Sequence, residues 1–264
     1  MRPKLASAPL SFKVVIPARY ASSRLPGKAL LDLGGKPMFM RVAEQAAASG
    51  AEEVLLATDH PDILNAALAE GLRAILTDKG HASGTERLAE VAAKEAWPPD
   101  TLVVNVQGDE PLIPPALIRE AAETLADSGA DIATFAHLIA DAEEFFNPNV
   151  VKVVLNRMGD ALFFSRAPIP YARDAFSRGR AALPQGLPAY RHVGLYAYRA
   201  AFLRDFSRIE ASSLEGFESL EQLRALWHGY RIRVALTSEP LPPGVDTPED
   251  AERMRALFAA RGGH

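Results

Sequence analysis

FKVVIPARYASSRLPGKALLDLGGKPMFMRVAEQAAASG, residues 12–50, holds the repeating unit of the chain in one stretch. Residues 12–17 form an apolar run of strand length without alternation, the mark of a strand covered on both faces. A loop rich in glycine and serine follows. From Pro37 the pattern turns helical, with proline in the first turn and Gly50 as the stop. The same unit then recurs. Strands are expected at 53–58, 73–77, 101–111 and 131–139, and helices at 60–71, 83–96 and 114–129, with Ser83 or Thr85 as the N-cap of the second. Alternation of this kind predicts an α/β fold with a mostly parallel sheet flanked by helices.

Beyond Asn149 the rhythm changes. Residues 150–156 and 161–166 flank a turn at Gly159 and read as a hairpin. Residues 191–199 alternate like a further strand. Between them, 171–190 is polar and irregular, and is expected to be a mobile segment over a site. A helix at 214–229, a strand at 231–238 and a closing helix at 247–261 complete the chain. Trp97 and Trp227 lie near helix ends, where core packing accounts for both. With no linker, repeat or low-complexity block, a single domain over 12–264 is expected after a frayed tail, 1–11. Its parts are 12–148, a smaller subdomain over 149–240, and a closing turn and helix over 241–264.

Composition narrows the classes. The chain has 264 residues, 48% hydrophobic and 23% charged, with a formal net charge of −4. A general nucleic-acid binder carries a basic excess, so no nucleic-acid partner is expected. The absence of cysteine removes disulfides, thiolate metal sites and cysteine nucleophiles together. No run reaches the roughly 18 apolar residues of a membrane span, and the first eleven lack the apolar core of a signal peptide. The expectation is a soluble, cytoplasmic protein with no membrane partner.

Three polar clusters fall at expected strand ends, where open α/β sheets bind ligands. The first gathers Arg19, Arg24, Lys28 and Lys36 in one loop of an otherwise acidic chain. It is neither a Walker A loop nor a G-x-G-x-x-G fingerprint, which removes the Rossmann dinucleotide binders. Either water solvates these charges or a polyanion gathers them. The second, NVQGDEP, delivers Gln107, Asp109 and Glu110 to a turn. An acid there can hold a divalent cation against phosphate, or simply cap the turn. The third, GVDTPED, reads alone as a helix cap, with Glu249 three residues after Asp246.

Taken together, IPARYASSRLPGK (16–28), HASGTERLAE (81–90), NVQGDEPLI (105–113), FNPNVVKVV (146–154), FFSRAPIPY (163–171), RHVGLYAYR (191–199), LEQLRALW (220–227) and GVDTPEDAER (244–253) resemble the 3-deoxy-manno-octulosonate (Kdo) cytidylyltransferases, the CMP-Kdo synthetases of lipopolysaccharide-making bacteria. The match runs in order from about residue 12 to about residue 255. One departure is Ala29, where the family usually has proline; the charged positions are unaffected. The resemblance implies a Rossmann-like fold of the nucleotide-diphospho-sugar transferase type, with a smaller sugar-binding and dimerisation subdomain and hence a homodimer. It implies transfer of CMP from CTP to the anomeric hydroxyl of Kdo, with Mg2+ as cofactor. Arg19, Lys28, Asp109 and Asp246 would serve catalysis, the two aspartates as metal ligands. Arg19, Arg24, Lys28, Ser83, Gly84, Arg87 and Gln107 would bind CTP. Arg166, His192, Tyr196, Glu221 and Gln222 would bind Kdo, with Arg166 facing its carboxylate. No residue stands out as a general base, although His192 is a candidate. The alternatives are a cytidylyltransferase for 8-amino-Kdo or a sialic acid, and a catalytically silent nucleotide-binding protein on the same fold.

Overall fold

A strand that is apolar on both faces needs a helical layer on each side, and β1 (Lys13–Ala18) shows how the chain supplies them. Val14 and Ile16 enter one core with Phe39, Val42, Ile118 and Leu125. Val15, between them, enters the opposite core with Leu88, Val91, Phe202 and Leu223. Successive strand side chains point to opposite faces, so one short strand feeds two cores.

The computed structural model describes residues 10–21, 25–81, 83–238 and 242–261. After β1 come α1 (Met38–Ala48), β2 (Glu53–Thr58), α2 (Pro61–Ala69), β3 (Ala74–Leu76), α3 (Gly84–Lys94), β4 (Leu102–Asn105), α4 (Pro115–Ser128) and β5 (Ile132–Leu138). The second half contains α5 (Ala142–Phe146), β6 (Lys152–Leu155), β7 (Ala161–Ser165), α6 (Arg173–Phe176), β8 (Tyr190–Arg199), α7 (Ala200–Phe206), α8 (Ser213–Glu218), α9 (Gln222–Trp227), β9 (Ile232–Leu236) and α10 (Pro248–Arg261).

The sheet runs in the order β3-β2-β1-β4-β8-β5-β9, with the β6–β7 hairpin joined through β8. The expected Rossmann-like, mostly parallel sheet is present. Within that order β8 is the antiparallel strand, wedged between β4 and β5 with Asn105 opposite Tyr196 and Thr134 opposite Tyr196 on its other side. This insertion sets residues of the second half against the carboxyl end of β4. Strand order reverses at β1, whose neighbours are β2 and β4, and such a switch point opens a crevice at the strand ends.

Four readings change. The helix expected over 214–229 is two helices, broken where Ser219 takes a left-handed conformation with φ 51°. Trp227 is 61% exposed rather than in the core, whereas Trp97 is buried. Residues 1–9 of the expected tail lie outside the described residues, but Leu10 packs on the core and the Ser11 hydroxyl donates to Glu52. The segment 171–190 has an anchor of its own: Phe176 and Ala189 pack with Ile139, Phe145 and Val150.

Candidate active site

The loops after β1 and β4 meet because glycine lets them. A Cβ on Gly108 would stand 2.8 Å from the Pro17 carbonyl oxygen, closer than side-chain carbons approach such an atom. Gly27, at φ 67°, turns the chain into a short 3-10 turn that begins at Lys28. The result is a cleft of about 350 Å³ lined by Arg19, Lys28, Gly84, Gln107, Asp109 and Asp246. Of the other two expected cations of the loop, Arg24 lies outside the described residues and Lys36 pairs with Glu44 instead of lining the cleft.

Asp109 and Asp246, far apart in sequence, converge here. The Val245 N–H donates to the Asp109 carbonyl at 2.8 Å, stitching the two turns together through the main chain. Gly244 permits the approach, since a Cβ there would sit 3.1 Å from that carbonyl. Capping of α10 falls one residue later than the sequence suggests. Asp250 accepts from the Asp246 and Thr247 N–H groups, while Thr247 Oγ1 accepts from the Asp250 N–H at 3.2 Å. Asp246 is thereby spared the capping role, and its Oδ1 lies 3.3 Å from Lys28 Nζ. The same ammonium donates to Asp109 Oδ2.

Two carboxylates already sharing one cation are a donor set that fits Mg2+, which takes one or two protein carboxylates and fills its sphere with water and phosphate oxygen. Among the described residues no larger group of acids and histidines is arranged for a metal. Beside the pair, Glu110 has a buried Oε2 without a partner. Burial, and then the neighbouring charge of Asp109, push its carboxyl up to about 7.

Ser83 caps α3, its Oγ accepting from the Glu86 N–H at 3.2 Å. Gly84 faces the side-chain amides of Asn105 and Gln107 across the cleft wall. Arg87 does not join them. Its side chain has no exposed surface and donates to Thr77 and, at 3.1 Å, to Asp59. Asp59 in turn accepts from the Tyr20 N–H at 3.1 Å, so Arg87 braces the basic loop from behind instead of reaching into the cleft. The clue was helical phase, since Arg87 stands one turn before buried Val91.

On the far side of β4, His192, Tyr196, Glu221 and Gln222 do come together. A cavity of about 80 Å³ is lined by Thr85, Tyr196, Tyr198, Glu221 and Gln222, and His192 lies against the Tyr196 ring with centroids 5.3 Å apart. The Thr134 hydroxyl donates to main-chain carbonyls of β8 and therefore accepts from His192 Nε2–H at 3.0 Å. The imidazole is partly exposed by area yet enclosed by Phe164, Tyr196 and Thr134. That burial pushes it down to about 3, so it is neutral and a weak base.

Arg166 is placed differently from the expectation of a carboxylate partner. Its Nε donates to the Glu218 carbonyl at 2.6 Å and its Nη1 to the Pro148 carbonyl at 3.2 Å, fastening β7 to the turn that carries Glu221. Fully buried Lys152 supports the same corner, donating to the carbonyls of Asn147, Val150 and Arg166. Lys152, Tyr198 and Thr85 were not among the site residues expected from sequence.

A family model described as Cytidylyltransferase matches residues 13–232. A 3-deoxy-manno-octulosonate cytidylyltransferase of Neisseria gonorrhoeae is 55% identical over 247 residues, 94% of this chain and 98% of that protein. A relative of the same name from Neisseria meningitidis serogroup A matches equally well. Among solved structures, a CMP:2-keto-3-deoxy-manno-octonic acid synthetase complexed with CTP superposes with a TM-score of 0.84 at 44% identity, covering 95% of this chain and 99% of its own. A Bacillus anthracis glucose-1-phosphate thymidylyltransferase, described as putative, shares the fold at a TM-score of 0.59 and 16% identity, covering 94% of this chain and 95% of its own. By sequence and by fold, this chain belongs to the cytidylyltransferase family, among the 3-deoxy-manno-octulosonate cytidylyltransferases.

Proposed function

We propose that this chain transfers CMP from CTP to the anomeric hydroxyl of Kdo, releasing pyrophosphate. The observation that carries the reading is the meeting of Asp109 and Asp246 on the Lys28 ammonium, in the cleft that also holds Arg19. Phosphoryl and nucleotidyl transfer is mainly a matter of positioning and of neutralising charge at phosphorus. Arg19 and Lys28 oppose the triphosphate and stabilise the leaving pyrophosphate as its charge grows. Lys28 reaches those oxygens by exchanging its carboxylate partners for phosphate. Gly84 and Gln107 present backbone and amide groups to the cytosine, with Ser83 holding the start of α3 in place.

Mg2+ held by Asp109 and Asp246 would withdraw charge from the α-phosphate and lower the pKa of the attacking hydroxyl. His192 is not the base, because its imidazole is already held neutral with a very low proton affinity. It offers Nδ1 as a hydrogen-bond acceptor to a sugar hydroxyl, beside Tyr196 and Gln222. Arg166 acts on the sugar site through the turn it fastens, and keeps unused N–H groups for the sugar carboxylate.

The finer parts of the proposal are a cytoplasmic enzyme of lipopolysaccharide biosynthesis that works as a homodimer. Among the described residues no helix is long and apolar enough to cross a membrane. Phe217, 91% exposed on α8, is an apolar group suited to burial against a second copy. Pyrophosphate release measured with CTP and Kdo, 8-amino-Kdo and N-acetylneuraminate in parallel tests the reading. Turnover strongest with Kdo and dependent on Mg2+ is expected. No release with Kdo would overturn it, whether another sugar reacts or none does.

A further inference from the structure

The candidate nucleotide loop and the candidate sugar residues are joined by a buried chain of hydroxyls that neither subsite requires on its own. The Asn105 side chain lies beside the Tyr198 hydroxyl and favours its charged form. The Tyr198 hydroxyl lies 3.2 Å from Thr85 Oγ1, and Thr85 Oγ1 donates to Glu221 Oε1. Since the Thr85 proton goes to the carboxylate, the Tyr198 proton must go to Thr85, which fixes the direction of the chain. Ser83, whose oxygen caps α3, stands close enough to Glu221 to favour its charged form. Thr85, Tyr198 and Asn105 are 3%, 4% and 3% exposed, so water does not substitute for these bonds. Glu221 sits just after the Ser219 break, on the turn that also carries Gln222.

We propose that Thr85 is a positioning residue that couples the two substrates: ordering of the Ser83–Gly84 segment by CTP sets the Glu221 carboxylate, through Thr85, in the position that receives the sugar. This inference rests on the function proposed above. The chain is short and dry, and every member donates toward the carboxylate, an arrangement in which each bond strengthens the next. Coupling is reciprocal, so bound sugar also strengthens nucleotide binding by the same factor.

The test titrates Kdo calorimetrically into the enzyme alone and into enzyme saturated with α,β-methylene-CTP, which cannot be cleaved at the reacting bond. The wild type is expected to bind Kdo about fivefold or more tightly with the analogue present. Thr85→Val keeps shape and removes the hydroxyl; its ratio should fall to about one, with sugar KM raised about tenfold, the cost of one hydrogen bond to a charged group. CTP affinity measured without sugar should stay within about twofold, because CTP contacts neither Thr85 nor Tyr198 in this proposal, while CTP KM at saturating Kdo should rise by the lost coupling factor. Thr85→Ser restores the hydroxyl and should restore the ratio, and Tyr198→Phe should lose part of it. A merely structural role predicts instead that Thr85→Val weakens CTP binding even without sugar, or that Thr85→Ser fails alongside it. Either result overturns the inference, as does a wild-type ratio of one. Absence of product from wild-type enzyme with CTP and Kdo would strike the functional reading itself, and is seen separately in the pyrophosphate assay.

Discussion

Asp246→Asn separates what this carboxylate does for the fold from what it does in the cleft. Its side chain is half exposed, and Lys28 Nζ stands at 3.3 Å. At that separation Coulomb's law gives about 1 kcal/mol in water and about 5 kcal/mol at an effective dielectric of 20. Solvent at a half-exposed pair favours the lower figure, and side-chain ordering reduces the net to at most about 1 kcal/mol. Lys28 keeps Asp109 in the variant, and the Thr247–Asp250 cap is untouched. The melting temperature should therefore fall by no more than about 4 °C. Turnover is another matter, because the variant loses one of the two carboxylates that would hold the Mg2+ whose charge offsets that of the phosphates. A fall in kcat/KM of about 100-fold or more is expected, with a higher Mg2+ requirement. Pyrophosphate release across a Mg2+ titration, run beside a calorimetric scan, reads both quantities. An Asp246→Asn enzyme within about fivefold of wild-type kcat/KM at matched Mg2+ would refute the paired-carboxylate reasoning.

Arg87→Met should destabilise the fold by about 3 kcal/mol in urea melts, because it strands the Asp59 carboxylate inside the protein; wild-type stability would mean the ion pair does not brace the loop. Glu110 titrates with a folded pKa raised to about 7 from 4.5, by burial first and Asp109 second. Its contribution to stability is therefore present below 4.5 and lost as pH rises through about 7. In EDTA, Glu110→Gln should be more stable than wild type at about pH 8 and no more stable at about pH 4. Equal stability at the higher pH would show that the carboxyl is hydrated after all. Phe217→Asp should leave melting unchanged and convert a dimer to a monomer in light scattering, whereas a wild type monomeric at micromolar concentration would remove the proposed interface.

Much of the architecture was readable along the chain, because strands and helices announce themselves through local periodicity. β2 falls where its apolar run falls, and α3 starts behind Ser83 as its capping chemistry requires. The break between α8 and α9 was not readable: 214–229 has helical composition throughout, and a non-glycine residue at positive φ is imposed by packing, not by preference. Arg87 illustrates the same limit. A charge in the first turn of a helix reads as solvated until its phase against a buried partner is known.

Local sequence alone places the residue types at the strand ends: cations after β1, an amide and acids after β4, an acid before α10. Those follow from runs of neighbours, whose geometry is set by backbone sterics. Contacts formed on folding bring Asp109 and Asp246 onto one ammonium, turn Arg87 inward and set Thr85 against Tyr198 and Glu221. Each depends on main-chain approaches between distant segments, such as Val245 to Asp109, and no local pattern encodes a distance between residues that are neighbours only after the sheet has closed.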